Sequence, residues 1–319
     1  MCFDLLGKKD IEMKEIPSGV YPTMLTPFSA DNRIDEKSVE RILEFYENAN
    51  VSGVFALCQS SEIFFLAPEE KLLLTRTILR YLQGRKTVLV SGNTAPMLED
   101  QIEEAKKLMA EGPDVYVLLT NRLDIRNEGD DTFKRNAENF LRAMPNTRFG
   151  LYECPYPYKR TLSEDLLRWC AGTGRFVFFK DTSCSNEKIG KRLNAIKGSD
   201  LKLFNANSAT LFDTLRMGAH GFSGIMSNFH PKLYTWLCQH YADDSNAKII
   251  SDFLGATSSM ETRQYPTNAK YALKIQGIFS TVNSRCNDNA PLPESFEKEV
   301  RQLLDLSQIL QQYIFERRR

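Results

Sequence analysis

The sequence predicts an α/β protein, a (β/α)8 TIM barrel with a C-terminal helical extension. Three observations lead there. Short apolar runs alternate with amphipathic helical patterns eight times over roughly 220 residues, the cadence of a barrel built from strand–helix units. The 319 residues accommodate one barrel of about 250 residues and an appendage. The rival fold, an open doubly wound sheet, would usually carry a Gly-rich turn after its first strand. Here the first run ends in Thr26-Pro27-Phe28, and neither GxGxxG nor a P-loop occurs.

The apolar runs that read as buried parallel strands are 20–28, 53–57, 87–90, 115–119, 149–154, 176–180, 201–204 and 222–226. The first helical pattern, 36–50, puts Val39, Ile42, Leu43 and Tyr46 on one face. The second, 68–83, opens with Pro68-Glu69-Glu70, where a missing N–H and two negative charges suit a helix start. Patterns at 98–111, 131–143, 163–170, 187–196, 209–217 and 231–241 complete the series. From about residue 245 onward only helices are expected, among them 268–277 and 294–315. The expected organisation is an N-terminal arm (1–18), the barrel (19–242) and a helical region (243–319). No low-complexity linker precedes that region, so it should pack on the barrel.

Lys+Arg and Asp+Glu are equal at 41 each, which argues against a large basic nucleic-acid face. A hydrophobic content of 42% and a charged content of 26% argue against disorder. The seven Cys are odd in number and lack CxxC spacing, so they read as reduced thiols. No run of about 18 apolar residues predicts a membrane span. The first 15 residues lack a signal-peptide core, which leaves a cytoplasmic location as the expectation. His220, His230 and His240 form no metal-ligand pattern, and no metal site is expected.

In a barrel of this class the chemistry sits at the C-terminal ends of the strands. Those ends read Cys58-Gln59-Ser60-Ser61-Glu62, Ser91-Gly92-Asn93, Thr120-Asn121-Arg122, Tyr152-Glu153-Cys154-Pro155, Lys180-Asp181-Thr182-Ser183, Asn205-Ala206-Asn207-Ser208 and, on the eighth, Gly221 to Asn228 around Ser223. Lys180 is the informative residue. It ends the run Phe176-Val177-Phe178-Phe179, so burial should lower its pKa and give a neutral amine that attacks carbonyl carbon. The same lysine could instead form a buried ion pair with Glu62 or Asp181. Tyr152 is either a proton carrier beside it or a core aromatic with a satisfied hydroxyl. Gln59-Ser60-Ser61 is either a donor nest for a carboxylate or a plain strand-to-helix turn.

Taken in order, these segments resemble the dihydrodipicolinate synthase / N-acetylneuraminate lyase family of class I, Schiff-base pyruvate aldolases. The resemblance runs from about Gly19 to about Leu304. It is carried by residues 20–28, by Gly53-Val54-Phe55-Ala56-Leu57 leading to Gln59-Ser60-Ser61-Glu62, by Tyr152-Glu153-Cys154-Pro155 and by Phe179-Lys180-Asp181-Thr182-Ser183. Residues 218–224 and 270–277 add to it. The resemblance implies a homo-oligomer, tetramer or dimer, that condenses pyruvate with an aldehyde or releases pyruvate from a 2-keto acid. No organic cofactor is implied, because the lysine iminium is the electron sink. Lys180 would form the imine and Tyr152 would shuttle protons. Ser60, with backbone N–H groups of Ser60 and Ser61, would hold the pyruvate carboxylate, and Ser223 would approach from strand eight.

The departures are specific. Gln59 stands where the family has a hydroxyl residue of the proton relay, and Asn121 where it has a second relay tyrosine. The arginine that binds the aldehyde carboxylate in dihydrodipicolinate synthase falls near Pro157. Asn121, Asn205 and Asn207 suggest a polar, uncharged distal pocket, with Arg122, Arg126, Lys159 and Arg160 as candidates to attract an anion. The reading is a Schiff-base carbon–carbon lyase, but not a true dihydrodipicolinate synthase. A Schiff-base dehydratase of a deoxy-keto sugar acid and a non-catalytic 2-keto-acid-binding homologue are the alternatives.

Overall fold

The computed structural model describes residues 15–242 and 245–316. Eight parallel strands form the centre: β1 (Gly19–Val20), β2 (Gly53–Phe55), β3 (Thr87–Val90), β4 (Val115–Leu119), β5 (Phe149–Tyr152), β6 (Phe176–Asp181), β7 (Lys202–Asn205) and β8 (Gly221–Phe222). Consecutive strands pair from β2 to β8, and β8 returns to β1. The last seam, β1 to β2, is joined by the bridge Thr23–Phe55, with Phe55 N donating to Pro22 O at 2.9 Å and Ser52 N to Val20 O at 3.0 Å. The strands thus enclose a barrel.

Between and after the strands lie α1 (Glu36–Asn48), α2 (Pro68–Leu82), α3 (Leu98–Ala110), α4 (Asp130–Ala143), α5 (Glu164–Gly172), α6 (Asn186–Ala195), α7 (Ser208–Arg216) and α8 (Pro231–His240). Asp35, Ser163, Ser185 and Asn207 each accept a first-turn N–H with their side chains, which fixes where α1, α5, α6 and α7 begin. Val39, Ile42, Leu43 and Tyr46 are all buried on α1, as its periodicity predicts.

The first and last strands are shorter than their apolar runs. Pro22 and Pro27 have no N–H to give a ladder, so the continuous strand is only Gly19–Val20 and Thr23 adds an isolated bridge, although Met24, Leu25 and Phe28 stay buried. After β8 the chain turns at once into a 3-10 segment, Ile225–Asn228. The β1–β8 seam depends on glycine. A Cβ on Gly221, at φ +152°, would lie 1.8 Å from the Gly19 carbonyl oxygen.

The core has two shells. Inside the barrel Tyr21, Phe55, Phe178 and Phe204 interlock, with Phe178 stacked on Phe204 at 4.7 Å and Tyr21 edge-on to Phe204 at 5.0 Å. Outside, aliphatic side chains of the strands meet the inner faces of the helices. Of the expected N-terminal arm, residues 1–14 lie outside the described residues. Ile16 is buried with the inner shell, and Lys202 Nζ holds Glu15 at 2.6 Å and the Ile16 carbonyl at 2.8 Å.

The extension comprises α9 (Ala247–Thr257), a 3-10 segment Ser258–Thr262, α10 (Thr267–Ile275) and α11 (Glu294–Glu316). Helix α9 packs on α7 of the barrel. A fully buried ion pair, Lys270 with Glu62, joins α10 to the turn after β2. Lys270 Nζ also donates to Asn283 O at 2.6 Å, while Glu62 Oε2 accepts from Cys286 N at 2.8 Å and Ser284 Oγ at 3.2 Å. Among the described residues, no helix is long and apolar enough to cross a membrane.

Candidate active site

A cavity of about 500 Å³ opens at the C-terminal ends of the strands. At its floor stands Lys180. Strand alternation turns Phe178 and Lys180 inward while Phe179 and Asp181 point outward. Both expected counter-ions of Lys180 are engaged elsewhere. Glu62 pairs with Lys270, and Asp181 pairs with Arg192, which also holds Glu153 at 2.7 Å and the Leu162 carbonyl at 2.8 Å. Among the described residues Lys180 Nζ makes no hydrogen bond or ion pair. It lies 4.4 Å from the Tyr152 ring centroid and 6.0 Å from that of Phe55. Burial therefore pushes its pKa below the usual lysine range. A buried lysine that gives up its proton more readily exposes a free amine, the nucleophile for a carbonyl carbon.

Tyr152 faces Lys180 in the β5–β6 register. Its hydroxyl donates to Gln59 Oε1 at 3.4 Å, and Cys154 Sγ approaches the same oxygen at 3.6 Å. Burial raises the phenol well above its ordinary pKa and the Cys154 thiol to about 11. Gln59 thus ends the contact with an amide oxygen, which accepts a hydrogen bond but passes no proton on.

Six of the nine expected site residues line this cavity: Gln59, Ser60, Tyr152, Lys180, Thr182 and Asn207. Thr182 is held by Glu153, its Oγ1 donating to Glu153 O at 3.0 Å. Asn207 caps α7, accepting from Thr210 N at 3.1 Å. The other three do structural work away from the lining. Ser61 Oγ donates to Met24 O and Ala56 O at 2.6 and 2.7 Å, and its amide goes to Cys58 O. Of the expected carboxylate nest, Gln59 and Ser60 therefore line the cavity and Ser61 does not. Ser223 Oγ donates to Tyr21 O at 3.0 Å and closes the β1–β8 seam; Gly224 and Ile225 reach the cavity instead. Asn121 Nδ2 brackets the carbonyls of Cys154, Tyr156 and Tyr158 at 2.9, 2.8 and 2.7 Å, shaping the loop after β5.

The distal wall differs from the polar pocket that the asparagines suggested. Asn205 is tied to Thr210 and Thr214, at 3.0 and 2.9 Å. Phe64 and Tyr156, in edge contact at 4.9 Å, line the mouth together with Phe65. Of the cations proposed to attract an anion, Lys159 alone lines the cavity, its Nζ on the Thr182 carbonyl. Arg160 is committed to Asp124 and Asp130, both at 2.8 Å, and Arg122 Nη2 to the Thr94 and Ala95 carbonyls.

The extension contributes groups that the strand-end reading missed. Glu261, Tyr265, Pro266 and Cys286 line the same cavity as Lys180. Tyr265 accepts from Asn228 Nδ2 at 3.3 Å. The Glu261 carboxyl is half-buried, and burial raises its pKa to about 7, opposed by the charge of Lys180. Nothing in the helical periodicity of 243–319 marks these positions, because Glu261 lies on a short 3-10 turn, Tyr265 and Pro266 directly follow it, and Cys286 lies on a second 3-10 turn, Arg285–Asn287.

The three histidines sit elsewhere. His220 Nδ1 accepts from Leu203 N at 3.2 Å, His230 is buried beside Tyr234, and His240 stacks on Trp236 at 4.5 Å.

Comparison with known proteins agrees with this geometry. The family model described as the dihydrodipicolinate synthetase family matches residues 16–307. A curated 4-hydroxy-tetrahydrodipicolinate synthase of Shewanella denitrificans is 23% identical over 285 residues, covering 88% of this chain and 94% of that one. Among solved structures, YagE, a prophage protein of the dihydrodipicolinic acid synthase family from E. coli K12 in complex with pyruvate, superposes with a TM-score of 0.82. The match is at 22% identity and covers 92% of this chain and 98% of that one. CdNal of Clostridium difficile, in complex with mannosamine, gives 0.81 at 14% identity, covering 91% and 99%. At such identities the structural likeness establishes the barrel. The family model spans nearly the whole chain, and on that ground the protein belongs to the dihydrodipicolinate synthetase family of class I, Schiff-base lyases.

Proposed function

We propose that this protein makes or cleaves a carbon–carbon bond next to a 2-keto acid, pyruvate first, held as an imine on Lys180. One observation carries the reading. Lys180 is buried at the cavity floor, and the two strand-end carboxylates expected to pair with it, Glu62 and Asp181, are bound to other cations. The Lys180 amine attacks the keto carbon, water leaves, and the resulting iminium draws electrons from the adjacent carbon. Tyr152, against the lysine, orients the imine with its ring. Ser60, Thr182 and Asn207 supply polar contacts to the keto acid. Relatives named as 4-hydroxy-tetrahydrodipicolinate synthases support the substrate class.

The second substrate is not that of a true dihydrodipicolinate synthase. The expected arginine position falls near Pro157, and the mouth is lined by Phe64, Phe65 and Tyr156. The reading includes a cytoplasmic homo-oligomer, for which Leu306 and Ile309, exposed on α11, offer apolar surface. Sedimentation velocity tests the assembly.

The chemistry is tested by borohydride reduction in the presence of pyruvate, read by peptide mass spectrometry. A reduced pyruvyl adduct on Lys180, lost in Lys180→Ala, is the expected result. A folded protein that yields no adduct overturns the reading.

A further inference from the structure

Lys180 and Tyr152 leave one requirement of such a site unmet. Once the imine exists, a base must take a proton from the carbon next to it. Tyr152 is a poor candidate, because its hydroxyl points to the amide oxygen of Gln59 and the chain of proton carriers stops there. The same cavity offers a carboxyl group. Glu261 lines the cavity from the 3-10 turn Ser258–Thr262, which packs on the Ile225–Asn228 turn after β8. The turn is anchored by Asn268 Nδ2, which donates to Met260 O at 2.7 Å, and by Arg263 N, which donates to the same oxygen at 3.1 Å. Among the described residues the Glu261 carboxylate has no hydrogen-bond or ion-pair partner, so it is free to act.

We propose that Glu261 is the catalytic base that forms the enamine. The proposal rests on the imine reading above. In the step, the C3–H bond of the lysine-bound pyruvate breaks and its proton moves to a Glu261 carboxylate oxygen. The electron pair becomes the C2–C3 double bond, and the C2–N π pair returns to nitrogen, giving a neutral enamine. The reverse step returns the proton to C3.

The charges around Glu261 favour this sequence. Lys180, Cys184, Tyr234 and Tyr265 are the titratable groups that sense its charge, and Lys159 lines the same cavity. Burial holds the carboxyl near neutrality in the free protein. A fixed iminium cation at Lys180 stabilises the carboxylate when a base is needed. When the neutral enamine forms, that stabilisation vanishes and the proton is retained.

The test uses pyruvate alone in D2O and follows deuterium entry at C3 by NMR, alongside borohydride trapping. Glu261→Gln is expected to trap pyruvate on Lys180 as the parent does, while C3 exchange falls about 10²–10⁴-fold. Glu261→Asp should recover part of the exchange. In the parent, exchange should be lost as pH falls through a midpoint of about 7, the value that holds with a positive charge at Lys180, and Glu261→Gln should lack that limb. Parent-like exchange in Glu261→Gln overturns the proposal and leaves the imine reading standing, as does loss of the adduct in that variant. If the unaltered protein traps no pyruvate, both fail.

Discussion

An amine without an ion-pair partner is costly to bury, and the charge of Glu261 in the same cavity offsets only part of that cost for Lys180. The direction of its pKa shift fixes how stability depends on pH. The folded protein holds Lys180 with a pKa below the unfolded value, so in the window between the two the unfolded chain binds the extra proton. Stability from this residue therefore rises with pH through that window and levels off above about 10.4. Lys180→Met is expected to stabilise the protein by about 1–3 kcal/mol at neutral pH, the usual range for relieving an unpartnered buried polar group. The gain should shrink toward pH 10, and urea unfolding at several pH values checks both points. The lysine itself was legible, because a charge that closes a four-residue apolar run is conspicuous. Its isolation was not, since Glu62 is neutralised by a residue 208 positions away. Asn121 shows the opposite failure. It occupied the position of a relay group, yet its amide organises the loop after β5. Asn121→Ala is expected to cost about 1–3 kcal/mol through the carbonyls it leaves unpartnered, while pyruvate trapping persists.

Among the elements, the join between the turn after β2 and α10 is the most consequential. Removing one member of a buried pair leaves the other charged and dry, at a cost of about 3–5 kcal/mol. Lys270→Met should lose that much by urea unfolding, and Glu62→Leu/Lys270→Met together should recover a large part. The β1–β8 seam gives a second expectation. Gly221→Ala combines a disfavoured φ with a collision against the Gly19 carbonyl, so a fall in Tm of more than about 4 °C is expected by calorimetry. Element existence was readable throughout the barrel, because strands buried on both sides and one-sided helices leave different periods. Strand length was less readable. The hydropathy of the run 20–28 does not show that the continuous strand ends at Val20; its prolines do, because Pro22 and Pro27 supply no N–H.

For the whole molecule, fold and half of the site follow from one cadence. Strand ends converge by topology, so knowing the barrel was enough to bring Gln59, Ser60, Tyr152, Lys180, Thr182 and Asn207 to one cavity. No comparable rule places a 3-10 turn of the extension, and Glu261 and Tyr265 stayed invisible for that reason. The same arrangement bears on how the protein is made. A ribosome completes the strand that carries Lys180 well before it adds residues 261–286. At about 5–20 residues per second, several seconds separate the two events. During that interval Glu62 has no Lys270 to meet, and the mouth lacks a wall. A nascent barrel would therefore hold its lysine in an open, wetter basin, where the amine stays protonated and inert toward the carbonyl compounds of the cell. Reactivity would switch on only after translation has passed α10, so the order of synthesis itself guards the lysine from premature adducts.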